Sequence, residues 1–186
     1  MSRAGVLLLA VLCAPNLEAQ TVVRPEAPLD SARASLRDAL FVLRDSLSSI
    51  DAAAGRLQRD YRQASAAALL SRARVMTDAC ARSTRTIPPT KEAVLTADAS
   101  NDLRRRRQRE LVQALERLGA ALSRCEVDFG AMSKPGQGER VRGYGNDRAA
   151  RVQAAIRQYE RLAGAFLAAH GIKVRPRGAD PRPLAG

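Results

Sequence analysis

Apolar residues recur along this chain at steps of three and four with polar residues between them, the pattern of helices that each bury one stripe. Leu29, Leu36, Leu40, Leu43, Leu47, Ile50, Ala54, Leu57 and Tyr61 form the first set. Asp30 or Ser31, just after Pro28, supplies a side-chain oxygen for the free N–H groups of a first turn. The spacing therefore predicts a helix over about 30–62, with Gly55 as its weak point. A second helix, over 65–86, carries Leu69, Ala73, Met76 and Cys80. Pro88-Pro89 is expected to end it, because proline lacks the backbone donor and clashes with the preceding turn. Residues 83–99 then read as a connection of roughly fifteen residues, with room for one turn of helix near 91–95.

The third stripe is the most regular: Leu111, Leu115, Leu118, Leu122, Cys125, Phe129 and Met132, in a helix over 100–132 that closes before Lys134-Pro135-Gly136. A glycine-rich loop, 136–145, leads to Asn146 or Asp147 as the cap of a fourth helix over 146–170. That helix carries Val152, Ile156, Tyr159, Ala163, Phe166 and His170, and Gly171 stops it. Four such segments bury their stripes only against one another, so residues 29–171 are expected to form an all-α four-helix bundle or a close variant. The heptad-like regularity also permits a coiled-coil dimer. Pro176, Pro181 and Pro183 in a polar context make 172–186 a tail expected to be disordered.

The opening of the chain changes this picture. Met1-Ser2-Arg3 is basic, Ala4 to Ala14 is apolar, and small Ala19 precedes Gln20, which together read as a cleaved signal peptide over 1–19 followed by an extended segment over 20–28. The protein is expected to be exported, to the periplasm or beyond. A lipid anchor on Cys13 is argued against by the bulky Leu12 before it, and no later apolar run is long enough to span a bilayer. Export leaves two cysteines, Cys80 and Cys125, both on apolar stripes, and an oxidising compartment favours their pairing. Closing a 45-residue loop would contribute about 4 kcal/mol through chain entropy; two buried thiols are the alternative. With helices ending near 86 and 132, a simple antiparallel hairpin would hold the two sulfurs apart. A bridge therefore predicts that helices two and three run parallel or cross, with 83–99 carrying the chain back.

The formal charge is +12, and twenty-eight of the 31 cations are arginine. Processing would remove one Arg and one Glu, so the whole excess belongs to the exported chain. Abundant arginine beside abundant alanine is partly what GC-rich coding yields, but Arg104, Arg105, Arg106 and Arg107, followed by Arg109, stand out. Consecutive residues on a helix are about 100° apart, so these cover every face and crowd the positive end of the helix dipole. The functional reading is a site for a multivalent anion, held by guanidinium forks. The competing reading is a solvated helix end with partial pairing to Asp98, Asp102 and Glu110.

Chemistry beyond this is sparse. One histidine and two non-adjacent cysteines provide no zinc set, no nucleophile has a placed base, and the glycines at 136–145 lack the phosphate-loop spacing. No Asp or Glu lies on the stripes, so the expectation is no catalytic residue, no metal and no cofactor. A proline-containing connection between helices two and three, and His170 at the end of helix four, make the layout similar to the periplasmic b-type four-helix cytochromes, which bind iron through a Met on the first helix and a His on the last. Helix one offers neither Met nor His, and Met76 and Met132 lie elsewhere, so the resemblance is one of architecture and implies no haem site. His170 reads more simply as a helix-end residue favoured by the dipole. Export, and the scarcity of aromatic side chains for stacking, argue against nucleic acid. The expected function is a non-enzymatic binding protein whose basic surface meets an anionic envelope component or a protein partner. The alternatives are a carrier with a ligand or haem pocket inside the bundle, and a basic extracytoplasmic chaperone with an apolar groove.

Overall fold

A computed structural model describes residues 30–59 and 61–173. The expected signal peptide, the extended segment 20–28 and all but the first two residues of the expected tail lie outside the described residues. Four helices and no strand occur among those described: α1 (Ser31–Gln58), α2 (Ala66–Leu95), α3 (Asp102–Met132) and α4 (Gly138–Ala169). Three begin on a side-chain cap. Asp30, Ser65 and Asn101 accept from the N–H groups of Arg33, Ala68 and Arg104, which relieves donors that have no partner inside the helix.

Contacts between neighbours show an antiparallel arrangement throughout. Lys91 meets Glu116, Cys80 meets Cys125, and a Cβ on Gly130 would touch Thr77, so α3 descends as α2 rises. Ser46 faces Ser83, while Arg148 faces Asp128, which pairs α1 with α2 and α3 with α4. α1 and α3 make no contact, and α2 meets α4 across the centre. The core is one continuous cluster, filled by Leu43, Leu47, Ile50, Leu111, Leu115, Leu118, Phe129, Tyr159 and Phe166, all essentially inaccessible. No described helix is long and apolar enough to cross a membrane.

Two expectations from the sequence need correction. α2 does not stop before Pro88-Pro89 but runs through both to Leu95. The reason lies in the stripe, which continues unbroken as Met76, Cys80, Ser83, Ile87, Thr90 and Val94, all buried, while both prolines stand exposed on the opposite side. The carbonyls deprived of donors therefore belong to the water-facing side, where their loss is tolerated. The buried hydroxyls are satisfied: Ser83 shares a hydrogen bond of 2.8 Å with Ser46 of α1, and Thr90 donates to the Thr86 carbonyl at 2.7 Å and lies 3.4 Å from the Ala39 carbonyl of α1. Similarly, α4 begins at Gly138 and not near Asn146, and only Gly136, with φ 81°, is needed for the turn. Gly138 packs directly on α2: a Cβ there would lie 2.7 Å from the Ala66 Cβ and 2.9 Å from its Cα. The glycines thus open a helix by allowing close approach, not by forming a loop.

Cys80 and Cys125 form a disulfide with Cα atoms 6.1 Å apart. The parallel or crossing arrangement expected from it is replaced by an antiparallel hairpin. Because α2 extends to Leu95, Cys80 sits at its middle, and α3 starts about two turns beyond the end of α2, which brings Cys125 level with Cys80. The connection is only 96–101.

Candidate functional site

The overhanging start of α3 carries the arginine cluster to one end of the bundle, where the 96–101 loop, Asp30 and the end of α4 also meet. Here Arg104 reaches across to α4: its Nε donates to the Ala169 carbonyl at 3.1 Å and its Nη1 pairs with the Asp98 carboxylate. A cation at the positive end of its own helix is unfavourable, but Arg104 places its charge at the negative end of the neighbouring one. Arg105 pairs with Asp102 and donates to the Ala99 carbonyl, and Arg107 pairs with Glu110 at 2.7 Å. Gln108 covers the end of α2, its amide within 2.9–3.4 Å of the carbonyls of Val94, Leu95 and Ala97. Arg106 and Arg109 remain exposed, with no carboxylate partner among the described residues. Three of the five clustered arginines are therefore paired, and two of them, Arg104 and Arg105, hold the 96–101 loop.

His170 completes that end. It is 3% exposed and stacks on Phe166 at 4.3 Å between ring centroids. Its Nδ1 lies 2.9 Å from the Phe166 carbonyl and its Nε2 2.9 Å from the Asp98 carbonyl, so neither nitrogen is open to an outside ligand. Both carbonyls only accept, so the ring donates to both at once when both nitrogens carry hydrogen. The Asp98 carboxyl is held below the usual carboxylate range by hydrogen bonds from the Ser100 N–H and hydroxyl, with Arg104 adding to the effect. A cavity of about 280 Å³ opens beside these residues, lined among others by Arg33, Asp98, Arg104 and His170, whose polar atoms already have partners.

Arg106 and Arg109 also belong to a second group, whose other members, Arg117 and Arg124, do not stand out in the sequence because they are dispersed along it. Arg106 and Arg124 are eighteen residues apart, about five helical turns, and Arg117 falls within about 20° of the same line on α3, with Arg109 beside it. All four are exposed and have no carboxylate partner among the described residues. At its Arg124 end this stripe meets a groove between α3 and α4 made of two adjoining hollows that share Asp128 and Arg148, one lined by Arg140 and Tyr144 and the other by Arg124 and Arg151. Asp128 holds Arg148 at 3.4 Å; Arg140 and Arg151 have no such partner among the described residues. The signal available in the sequence was arginine at helical repeats of eleven and seven, not arginine in a run.

Cys80, Cys125 and Tyr159 are occupied or enclosed. Both cysteines described are in the disulfide, and the described residues place no three His, Cys, Asp or Glu side chains together as a metal set. The Tyr159 hydroxyl is buried without a hydrogen-bond partner, and burial, with Glu160 adding, drives its pKa upward, away from use as a base. No protein-family model matches this chain, and comparison with curated proteins and with solved structures found no match.

Proposed function

We propose that this chain is an exported, non-enzymatic helical bundle that binds an anionic partner through the outer face of α3. The observation that carries this reading is the stripe of Arg106, Arg109, Arg117 and Arg124, exposed on one side of α3 and in no ion pair among the described residues. Charges that serve folding are neutralised where they stand, as at Arg104, Arg105 and Arg107; a row left unneutralised favours a ligand that brings its own negative charge. Export is supported by the signal-like residues 1–19 and is compatible with a disulfide that ties two core helices.

The test is retention of the disulfide-bonded chain on immobilised polyphosphate in a salt gradient. Arg117→Gln combined with Arg124→Gln should elute at clearly lower salt with an unchanged melting temperature, since both side chains project into water. Elution at the same salt as the parent removes the proposal. The native mass of material recovered from the cell envelope tests export: the chain should begin at Gln20 and weigh two hydrogens less than its reduced form. A chain retaining Met1 would place the protein elsewhere.

A further inference from the structure

Resting on the proposed anion-binding role, we infer that the groove between α3 and α4 is a built seat for one strand of an acidic polysaccharide. Arg140, Tyr144, Arg148 and Arg151 follow one another along α4 over about 16 Å, and Arg124 faces them from α3. The wider part of the groove is a cavity of about 350 Å³, within the range that small ligands occupy. Four guanidinium groups surround a single carboxylate, that of Asp128, so the groove lacks negative charge that a ligand can supply. Carboxylates or phosphates spaced along a strand match planar guanidinium forks two hydrogen bonds at a time.

The shape and the aromatic side chain narrow the ligand class. The arginines line a concavity between two helices, which a flat layer of lipid headgroups cannot enter and a single strand can. Tyr144 is 60% exposed, so one aromatic face is available for a sugar ring. A single-stranded nucleic acid uses a succession of aromatic platforms, and the groove offers only one.

Fluorescence anisotropy of the full disulfide-bonded chain with labelled tetragalacturonate tests this, beside neutral maltotetraose, inorganic polyphosphate, a thymidine oligonucleotide and phosphatidylglycerol vesicles. Tetragalacturonate should bind and maltotetraose should not. Arg140→Gln with Arg151→Gln should weaken tetragalacturonate about tenfold or more, while Arg74→Gln with Arg82→Gln, exposed on α2 away from the groove, changes it less than about threefold. Tyr144→Ala should weaken tetragalacturonate about threefold and leave polyphosphate unaffected. All of these side chains are exposed, and an unchanged melting temperature confirms that each variant is folded. Equal losses from the two arginine pairs, no effect of Tyr144→Ala, or stronger binding of the oligonucleotide or the vesicles would overturn the groove assignment. Polyphosphate binding without these dependences leaves the general anion-binding role standing; failure to bind polyphosphate at all removes both.

Discussion

The two ends of the bundle face the same problem and solve it differently. At each, a loop must be held against a helix end whose backbone groups have no partner inside the helix. At the end that holds residues 59–65, one guanidinium does most of the work. Arg142 donates to the carbonyls of Tyr61, Arg62 and Ala64 at 2.6–2.8 Å, and Gly138 lets α4 rest on Ala66. At the opposite end the 96–101 loop is held by Arg104, Gln108, His170 and the Asp98 carboxylate together. The first solution depends on close packing and a charge that is permanent at any ordinary pH. The second is distributed and includes a carboxylate, Asp98, held in its charged form by Ser100 and Arg104. The comparison teaches that one end should respond to shape and the other to acidity.

The largest effect should come from cutting the bridge that joins α2 and α3 midway between the ends. Replacing Cys80 and Cys125 by alanine should lower stability by about 4 kcal/mol, read as a shift in the denaturant midpoint. Unfolding should remain one transition with both ends lost together; separate transitions would show that the ends are independent. Gly138→Ala comes next, at about 2–3 kcal/mol, because the added methyl group meets backbone as well as side chain of Ala66. Hydrogen exchange should then quicken around residues 61–66 and not around 96–101. Arg142→Met should cost about 2 kcal/mol with the same regional signature, since three carbonyls lose a charged donor.

His170→Phe should cost about 1–2 kcal/mol, keeping the stacked ring and leaving the Asp98 carbonyl without its imidazole donor. Exchange should quicken only at 96–101 and at the end of α4. The smallest expected effect is that of acid on Asp98. Its folded pKa is lowered, so its contribution is fully present above the ordinary Asp value of about 3.9 and disappears as pH falls through the lower folded value. Protection of the 96–101 loop should therefore fade below about pH 4 while the Arg142 end keeps its own. Equal acid sensitivity at both ends would erase the distinction.

The core of this fold was legible because large side chains mark it. Leu36 to Leu57 and Leu111 to Met132 repeat at helical steps, and both sets are buried. The disulfide was legible for the same reason, each cysteine standing where a Leu would otherwise stand. What could not be read was the second half of α2, because its stripe passes through Ser83 and Thr90, polar residues whose burial rests on partners 37 and 51 positions away in the chain. Local rules for proline then dominated the reading, and tertiary packing reversed them. The early start of α4 was hidden likewise, since Gly138 and Gly145 look like loop residues until Ala66 and Leu57 are placed beside them. For the arginines, adjacency in the chain drew attention to 104–107, most of which the fold consumes, while the exposed stripe is visible only once α3 is known to be straight from Asp102 to Met132.

The bridge between Cys80 and Cys125 also has a mechanical meaning. Force applied to the two ends of the chain passes across the sulfur bond and bypasses the whole segment between the two cysteines, 45 positions apart, including the exposed double proline. α1 and α4 can be peeled away and extended, but the hairpin tip remains a closed loop that no pull from the termini can lengthen. Cleaving the bridge would release roughly 150 Å of additional contour length, a step that a single-molecule stretching record would show as one late extension absent from the oxidised protein.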